Sequence, residues 1–211
     1  MAKAAVLLPR QEMQQMAADL IAQYPNLSPF CIEYTYTDAA CQRAIRLQND
    51  GCELILARGL QAALVDELAH QMPNIVGMKD TSGDITQTSE FIRRTRDVGF
   101  KVFGGKDTLL YASLCHGAVG GVCTAANFMP ELITDVYNKY AAGDLAGSLE
   151  AQFKLNPVRL SMDAASFPVA AKDMATLRGR DVGVPYLPTL PTPEGPAKQG
   201  FIKTMTEAGL L

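Results

Sequence analysis

NIVGMKDTSGD, residues Asn74 to Asp84, is the stretch on which the reading of this chain turns. Ile75, Val76, Gly77 and Met78 form a short apolar run, and Lys79 stands where the run gives way to Asp80, Thr81, Ser82 and Gly83. A lysine at the mouth of a strand either lays its stem along apolar surface and reaches water, or is kept dry as a neutral amine for chemistry. Position alone favours the first. The second needs support from the rest of the chain.

Outward from that stretch, apolar runs and helical periods alternate. Strands are expected at Lys3–Leu8, Pro29–Tyr36, Cys52–Ala57, Ile75–Lys79, Lys101–Phe103 and Gly121–Thr124. Helices are expected at Glu12–Gln23, Asp38–Asn49, Leu60–Gln71, Ile85–Asp97, Asp107–His116 and Pro130–Ala142. Asp38, Asp84 and Asp107 sit where helix N-caps belong, and Gly51, Gly99, Gly117 and Gly143 fall at or after helix ends. The strands are continuous apolar runs, which implies burial on both faces and a parallel sheet covered by helices. After Gly143 the pattern turns helical (Asp144–Met162, Ala164–Arg178, and a last helix at Lys198–Ala208), interrupted by a Pro- and Gly-rich segment at 183–196. Six βα units are two short of a closed eight-unit barrel and one more than a five-stranded flavodoxin-like sheet.

Composition narrows the function. The 211 residues are 48% hydrophobic with a net charge of −3, which suits a globular protein and gives no footprint for nucleic acid or an anionic membrane. The start, MAKAAVLLPRQEM, is too short an apolar run for a signal peptide, and no stretch has the length of a membrane span. Cys31, Cys41, Cys52, Cys115 and Cys123 show neither CxxC pairs nor a ligand pattern with His70 or His116, so no metal site is expected and a reduced, cytoplasmic setting is.

In parallel α/β folds chemistry gathers at the carboxyl ends of the strands. No GxGxxG follows the first strand and no GxxxxGK[ST] occurs, so no nucleotide cradle and no cofactor are expected. Carboxylates do not cluster at the first and third strand ends, where Pro9-Arg10 and Arg58-Gly59 stand, so a phospho-acceptor site is not expected either. Lys79 is the positive feature.

The stretch NIVGMKDTSGD, followed by FGGKDTLLYASLCHGAVGGVCTAANFMPE, resembles the C-terminal half of the dihydrodipicolinate synthase/N-acetylneuraminate lyase family, with SFPVAAKDM and the terminal EAGLL continuing the likeness across roughly 66–211. The resemblance implies a (βα)8-barrel class I lyase or aldolase whose strand-six lysine forms a Schiff base with pyruvate or another 2-keto acid. Lys79 matches that lysine, Gly105 the glycine ending strand seven, and Val122 the strand-eight residue whose backbone carbonyl faces the substrate. Lys106 departs from the acidic residue that synthases acting on an aspartyl semialdehyde carry, which leaves the second substrate open.

Residues 1 to about 65 read differently. VLLPRQEMQQMAADLI and IEYTYTDAACQRAIRLQNDGCELILARGLQAALV resemble the flavodoxin-like sensor domain of propionate-regulator-type transcription activators, whose third strand ends in an ARG turn, here Ala57-Arg58-Gly59. The GTTGE-like carboxylate loop that the lyase family's first half would bring has no counterpart, and Tyr34 and Tyr36 would lie roughly 14 Å from the Lys79 strand in such a sheet, too far for that family's proton-relay tyrosine.

The two resemblances meet within a helix near Leu64–Glu67. Together they predict an engineered chimera: one domain over 1–211, made of sensor-derived units (1–65), half-barrel units (66–143) and a helical tail (144–211). Its expected fold is a flavodoxin-like doubly wound parallel sheet of about six strands in the order 2-1-3-4-5-6. On that reading Lys79 is a vestigial Schiff-base lysine without turnover. The alternatives are a working pyruvate lyase or aldolase, and a small-molecule binding module. Arg58 is either a solvated loop residue or a grip on a 2-keto-acid carboxylate. The expected partner is a small 2-keto acid, and the expected assembly a monomer or homodimer.

Overall fold

Short apolar runs become strands and the amphipathic stretches between them become helices in the computed structural model, which describes residues 4–8, 14–15, 17–19, 22, 31–34, 40–52, 54–57, 62–186 and 188–211. The chain divides into two compact units, Met1–Met78 with Glu90–Lys101, and Lys79–Ser89 with Val102–Leu211.

In the first unit AAVLL (β1, Ala4–Leu8), CIEY (β2, Cys31–Tyr34) and LILA (β3, Leu54–Ala57) form a parallel sheet with β1 in the middle. Val6 pairs with Ile32 on one side and Leu56 on the other. Helices α1 (Ala40–Asn49) and α2 (Ala62–Gln71) carry apolar residues three and four apart on one face. Ala44 and Leu47 of α1, Leu68 of α2 and the following Met72 are buried in one cluster with Ala5 and Cys52. Gly51 closes α1 at φ 85°, a conformation in which a side chain would be strained. Its N–H donates to Gln48 O while that of Cys52 donates to Leu47 O, the paired bonds of a Schellman end.

The second sheet has the order β4-β5-β6, from Gly77–Asp80, Lys101–Gly104 and Gly120–Gly121. β5 and β6 are parallel, Phe103 opposite Gly120 and Gly104 opposite Gly121. The N–H groups of Lys101 and Gly105 donate to the carbonyls of Val76 and Asp80, a constant offset that makes β4 and β5 parallel as well. Helix α3 (Ile85–Thr95) joins β4 to β5, and α4 (Leu110–Cys115) joins β5 to β6.

The tail is core rather than appendage. Helices α5 (Pro130–Ala141), α6 (Leu145–Ser161), α7 (Phe167–Leu177) and α8 (Pro196–Glu207) follow β6. Phe128, Val136, Leu155, Met162, Met174 and Phe201 from this region bury their side chains together with Leu110 and Leu114 of α4. Helix α7 begins at Phe167 rather than Ala164, and α8 at Pro196 rather than Lys198. In both a proline occupies the first turn, where its missing N–H would have no intrahelical acceptor in any case.

The expected six-stranded flavodoxin-like sheet is not what forms. Among the described residues the strands make two three-stranded sheets, with no ladder joining β3 to β4. Runs of two to five residues carry too little information to name their partners, because pairing is a long-range choice that local apolar pattern does not encode. Within the expected helix at Glu12–Gln23, residues 14–15 and 17–19 are helical, residue 22 is a turn, and the rest lie outside the described residues.

Candidate active site

β4 ends in Lys79-Asp80, and the two-residue period of a strand turns these side chains to opposite faces. Asp80 takes the buried face. One oxygen accepts the Ser82 N–H at 2.9 Å and the other the Thr88 hydroxyl at 2.6 Å. Asp84 then caps α3, accepting the N–H groups of Thr86 at 2.9 Å and Gln87 at 3.3 Å. The DTSGD segment is thus a strand exit built into a helix cap, as its residue types predict.

Lys79 takes the other face and is exposed. The arrangement that position alone favours, a lysine reaching water, is the one observed, and the dry alternative is not, since Asp80 occupies the buried side of the same strand end. The Lys79 stem lies against Gly105, the residue after β5. A Cβ at Gly105 would stand 2.6 Å from Lys79 Cε, 2.5 Å from Thr81 Oγ1 and 2.8 Å from the Asp80 carbonyl. The close approach therefore requires glycine. Gly105 N–H donates to Asp80 O at 2.7 Å. Val122, after β6, is 48% exposed, and its N–H donates to the Gly104 carbonyl at 2.9 Å.

Of the four residues selected from the sequence, Lys79, Gly105 and Val122 therefore stand at the ends of three neighbouring strands, with Lys79 and Gly105 in contact. Arg58 and Gly59 lie outside the described residues, as does Tyr36.

Sequence reasoning missed the groups behind these strand ends. Asp107, 3% exposed, accepts Arg159 Nε at 3.0 Å and the Ala125 N–H at 3.3 Å through Oδ2. Gln152 donates to the Asp107 carbonyl at 3.1 Å and accepts the Tyr111 N–H at 2.9 Å. Gln152 and Arg159 are seven residues apart, two turns along one face of α6. That spacing of polar residues on an otherwise apolar face is the signal that could have revealed them.

Cys123 lies in the same place. Burial first, then the Asp107 carboxylate beside it, push its thiol up to about 12, while the charge of Lys79 pulls the other way. His116 follows the end of α4, where its N–H donates to Ala112 O, and its Nδ1 meets the Ser89 hydroxyl at 2.5 Å on the surface. Among the described residues no group of three or more His, Cys, Asp or Glu side chains is placed to hold a metal ion, and no helix is long and apolar enough to cross a membrane.

A parallel β/α chain whose candidate groups collect at the carboxyl ends of successive strands defines the broad class. Residues 57–207 match the Dihydrodipicolinate synthetase family, and the chain belongs to that family. It is 39% identical over 131 residues to a 4-hydroxy-tetrahydrodipicolinate synthase of Methanoculleus marisnigri, a match covering 62% of this chain and 45% of that protein. The chain spans about half the length of the curated relatives it matches.

Among solved structures, dihydrodipicolinate synthase from Thermotoga maritima superposes with a TM-score of 0.78 at 20% identity, over 98% of this chain and 75% of that one. A prophage protein of the dihydrodipicolinic acid synthase family from E. coli, solved in complex with pyruvate, gives 0.74 at 21% identity, over 100% of this chain and 76% of that one.

These neighbours are (βα)8-barrel enzymes, and the likeness is one of fold. It replaces the flavodoxin-like expectation, although β1 between β2 and β3 departs from the consecutive strand order of a closed barrel. The family match starts at residue 57 rather than 66 and takes in Ala57, Arg58 and Gly59 of the sequence, while the fold likeness covers nearly the whole chain. Neither supports a sensor-derived front half or an engineered join.

Proposed function

We propose that this chain is a Schiff-base-forming 2-keto-acid lyase or aldolase in which Lys79 is the reacting amine, with Gly105 and Val122 lining its substrate site. The observation that carries this reading is the Lys79–Gly105 contact at the ends of β4 and β5, inside the segment that matches the family. The amine adds to the ketone of pyruvate, water leaves, and the resulting iminium draws electrons from the neighbouring carbon. A C–C bond there can then form or break. An exposed lysine side chain lying over a glycine is reachable by a small keto acid without moving the backbone.

Pyruvate with borohydride, read by intact mass and peptide mapping, tests the reading. A reduced pyruvate adduct on Lys79, absent from Lys79→Ala, is the expected result. A folded chain that takes up no adduct refutes it.

A second reading is iminium formation without turnover, since two tyrosines of the second unit have their hydroxyls engaged elsewhere. The Tyr140 hydroxyl donates to the Leu114 carbonyl at 2.8 Å, and the Tyr111 hydroxyl is held beside Cys115. Steady release of product from pyruvate and an aldehyde separates the two readings.

A further inference from the structure

Arg159 and Asp107 form an ion pair with side chains 8% and 3% exposed. Burying two charges costs desolvation that their attraction does not reliably recover, so such a pair is weak evidence of stabilisation in itself. Its connections are more telling. Asp107 follows Gly105, the support of the Lys79 stem, by two residues. Its Oδ2 also takes the Ala125 N–H, in the turn that follows Val122 and Cys123. From α6, Gln152 holds the Asp107 backbone and Arg159 holds its carboxylate. Arg159 is fixed in turn by Asp163 at 2.9 Å and by the Phe167 ring, 5.2 Å from its guanidinium carbon. Asp107 Oδ1 has no conventional donor, and the Cys123 thiol, a weak one, is beside the carboxylate.

We propose that the Arg159–Asp107 pair is a positioning device for the Lys79 site, tying the turn after β5 and the turn after β6 to α6 so that Gly105 stays under the Lys79 stem. The inference rests on the lyase reading above and adds Arg159, Asp107 and Gln152 as positioning residues. They touch no reacting atom and act through the backbone on which Lys79 lies. Arg159 suits this task better than lysine because its planar fork addresses Asp107 and Asp163 at once.

The test compares the unaltered chain with Arg159→Met, Arg159→Lys, Asp107→Asn and Leu155→Ala, the last a buried residue on the same helix with no bond to Asp107. The limiting rate of borohydride-trapped adduct at Lys79 and the half-saturating pyruvate concentration are read separately, beside the melting temperature. Arg159→Met and Asp107→Asn are expected to lower the limiting rate about tenfold, because small misplacements of a reacting group cost that much or more. Arg159→Lys recovers part of it, and Leu155→Ala melts earlier yet traps at the unaltered rate.

An unchanged rate in Arg159→Met, or an equal loss in Leu155→Ala, overturns the proposal. Should Arg159→Met or Asp107→Asn fail to fold, Arg159→Lys decides, an unchanged rate counting against. If the unaltered chain gives no adduct, the lyase reading fails on its own. The positioning role is then read from acetylation of Lys79 by acetic anhydride, where equal rates in the unaltered chain and Arg159→Lys overturn it.

Discussion

Lys79 and Gly105 touch across neighbouring strand ends because Gly105 has no side chain: a Cβ there would come within 2.6 Å of Lys79 Cε. Gly105→Ala must therefore displace the Lys79 stem, and it also presses on the Asp80 carbonyl at 2.8 Å, which cannot rotate away. Overpacking of this kind costs about 1–3 kcal/mol. The expected outcome is a lowered melting temperature together with a tenfold or greater loss of borohydride-trapped pyruvate on Lys79. Unimpaired trapping in Gly105→Ala would separate Lys79 chemistry from this contact.

The buried Asp80–Thr88 bond, 2.6 Å long, holds the strand exit to α3. Thr88→Val keeps the shape and removes the donor, leaving a carboxylate oxygen short of a partner. Hydrogen bonds to charged groups contribute about 1.5–3 kcal/mol. Urea unfolding should show a loss of that order, with an unchanged denaturant slope.

Two cysteines of the second unit should separate by reactivity. Cys115 is exposed, whereas the Cys123 thiol is held up to about 12 by burial and by Asp107. Thiolate is the nucleophile, so iodoacetamide at pH 8 is expected to label Cys115 at least tenfold faster than Cys123. Asp107→Asn removes the charge and should speed Cys123. Equal labelling in the folded chain would contradict the placement of that thiol.

Acid should weaken the first unit through Glu90. Its carboxylate accepts Arg93 at 2.8 and 2.9 Å and Arg94 at 3.3 Å, and these bonds, Arg93 foremost, lower it from 4.5 to about 2. A depressed carboxylate contributes stability that is present above 4.5 and lost as pH falls toward 2. His70 runs the other way. Its bond to Asp97, and then that to the Asp66 carbonyl, raise it, so its contribution is full below 6.5 and lost as pH climbs through its folded value. Both sites face water, so the effects are small and salt-sensitive. Glu90→Gln should flatten the acid limb of the melting temperature against pH and leave the limb above 6.5 intact. An unchanged acid limb would remove Glu90 from the account.

Much of the local structure was legible. The Asp84 cap, the αL end at Gly51 and the strand-end position of Lys79 follow from residue types acting on neighbours a few positions away. Gly105 and Val122 were legible through resemblance, and the structure sets them on adjacent strands. Position alone favoured the exposure of Lys79, but that Asp80 takes the buried face of the same strand end was not legible. Nor was the role of α6, which reads as a tail helix until it is seen to reach back to Asp107.

By itself, then, the amino-acid sequence determined the βα rhythm, the caps and breaks of the helices, the parallel sense of the strands and the chemistry available at Lys79. Those features rest on interactions within a turn or two of the chain, which residue type and spacing encode directly. Tertiary structure decided that, among the described residues, six strands split into two sheets of three, that Gly105 lies beneath the lysine, and that Arg159 meets Asp107 from 52 residues away. Each of these depends on which apolar faces the whole chain buries against one another, a long-range balance that a local pattern does not contain.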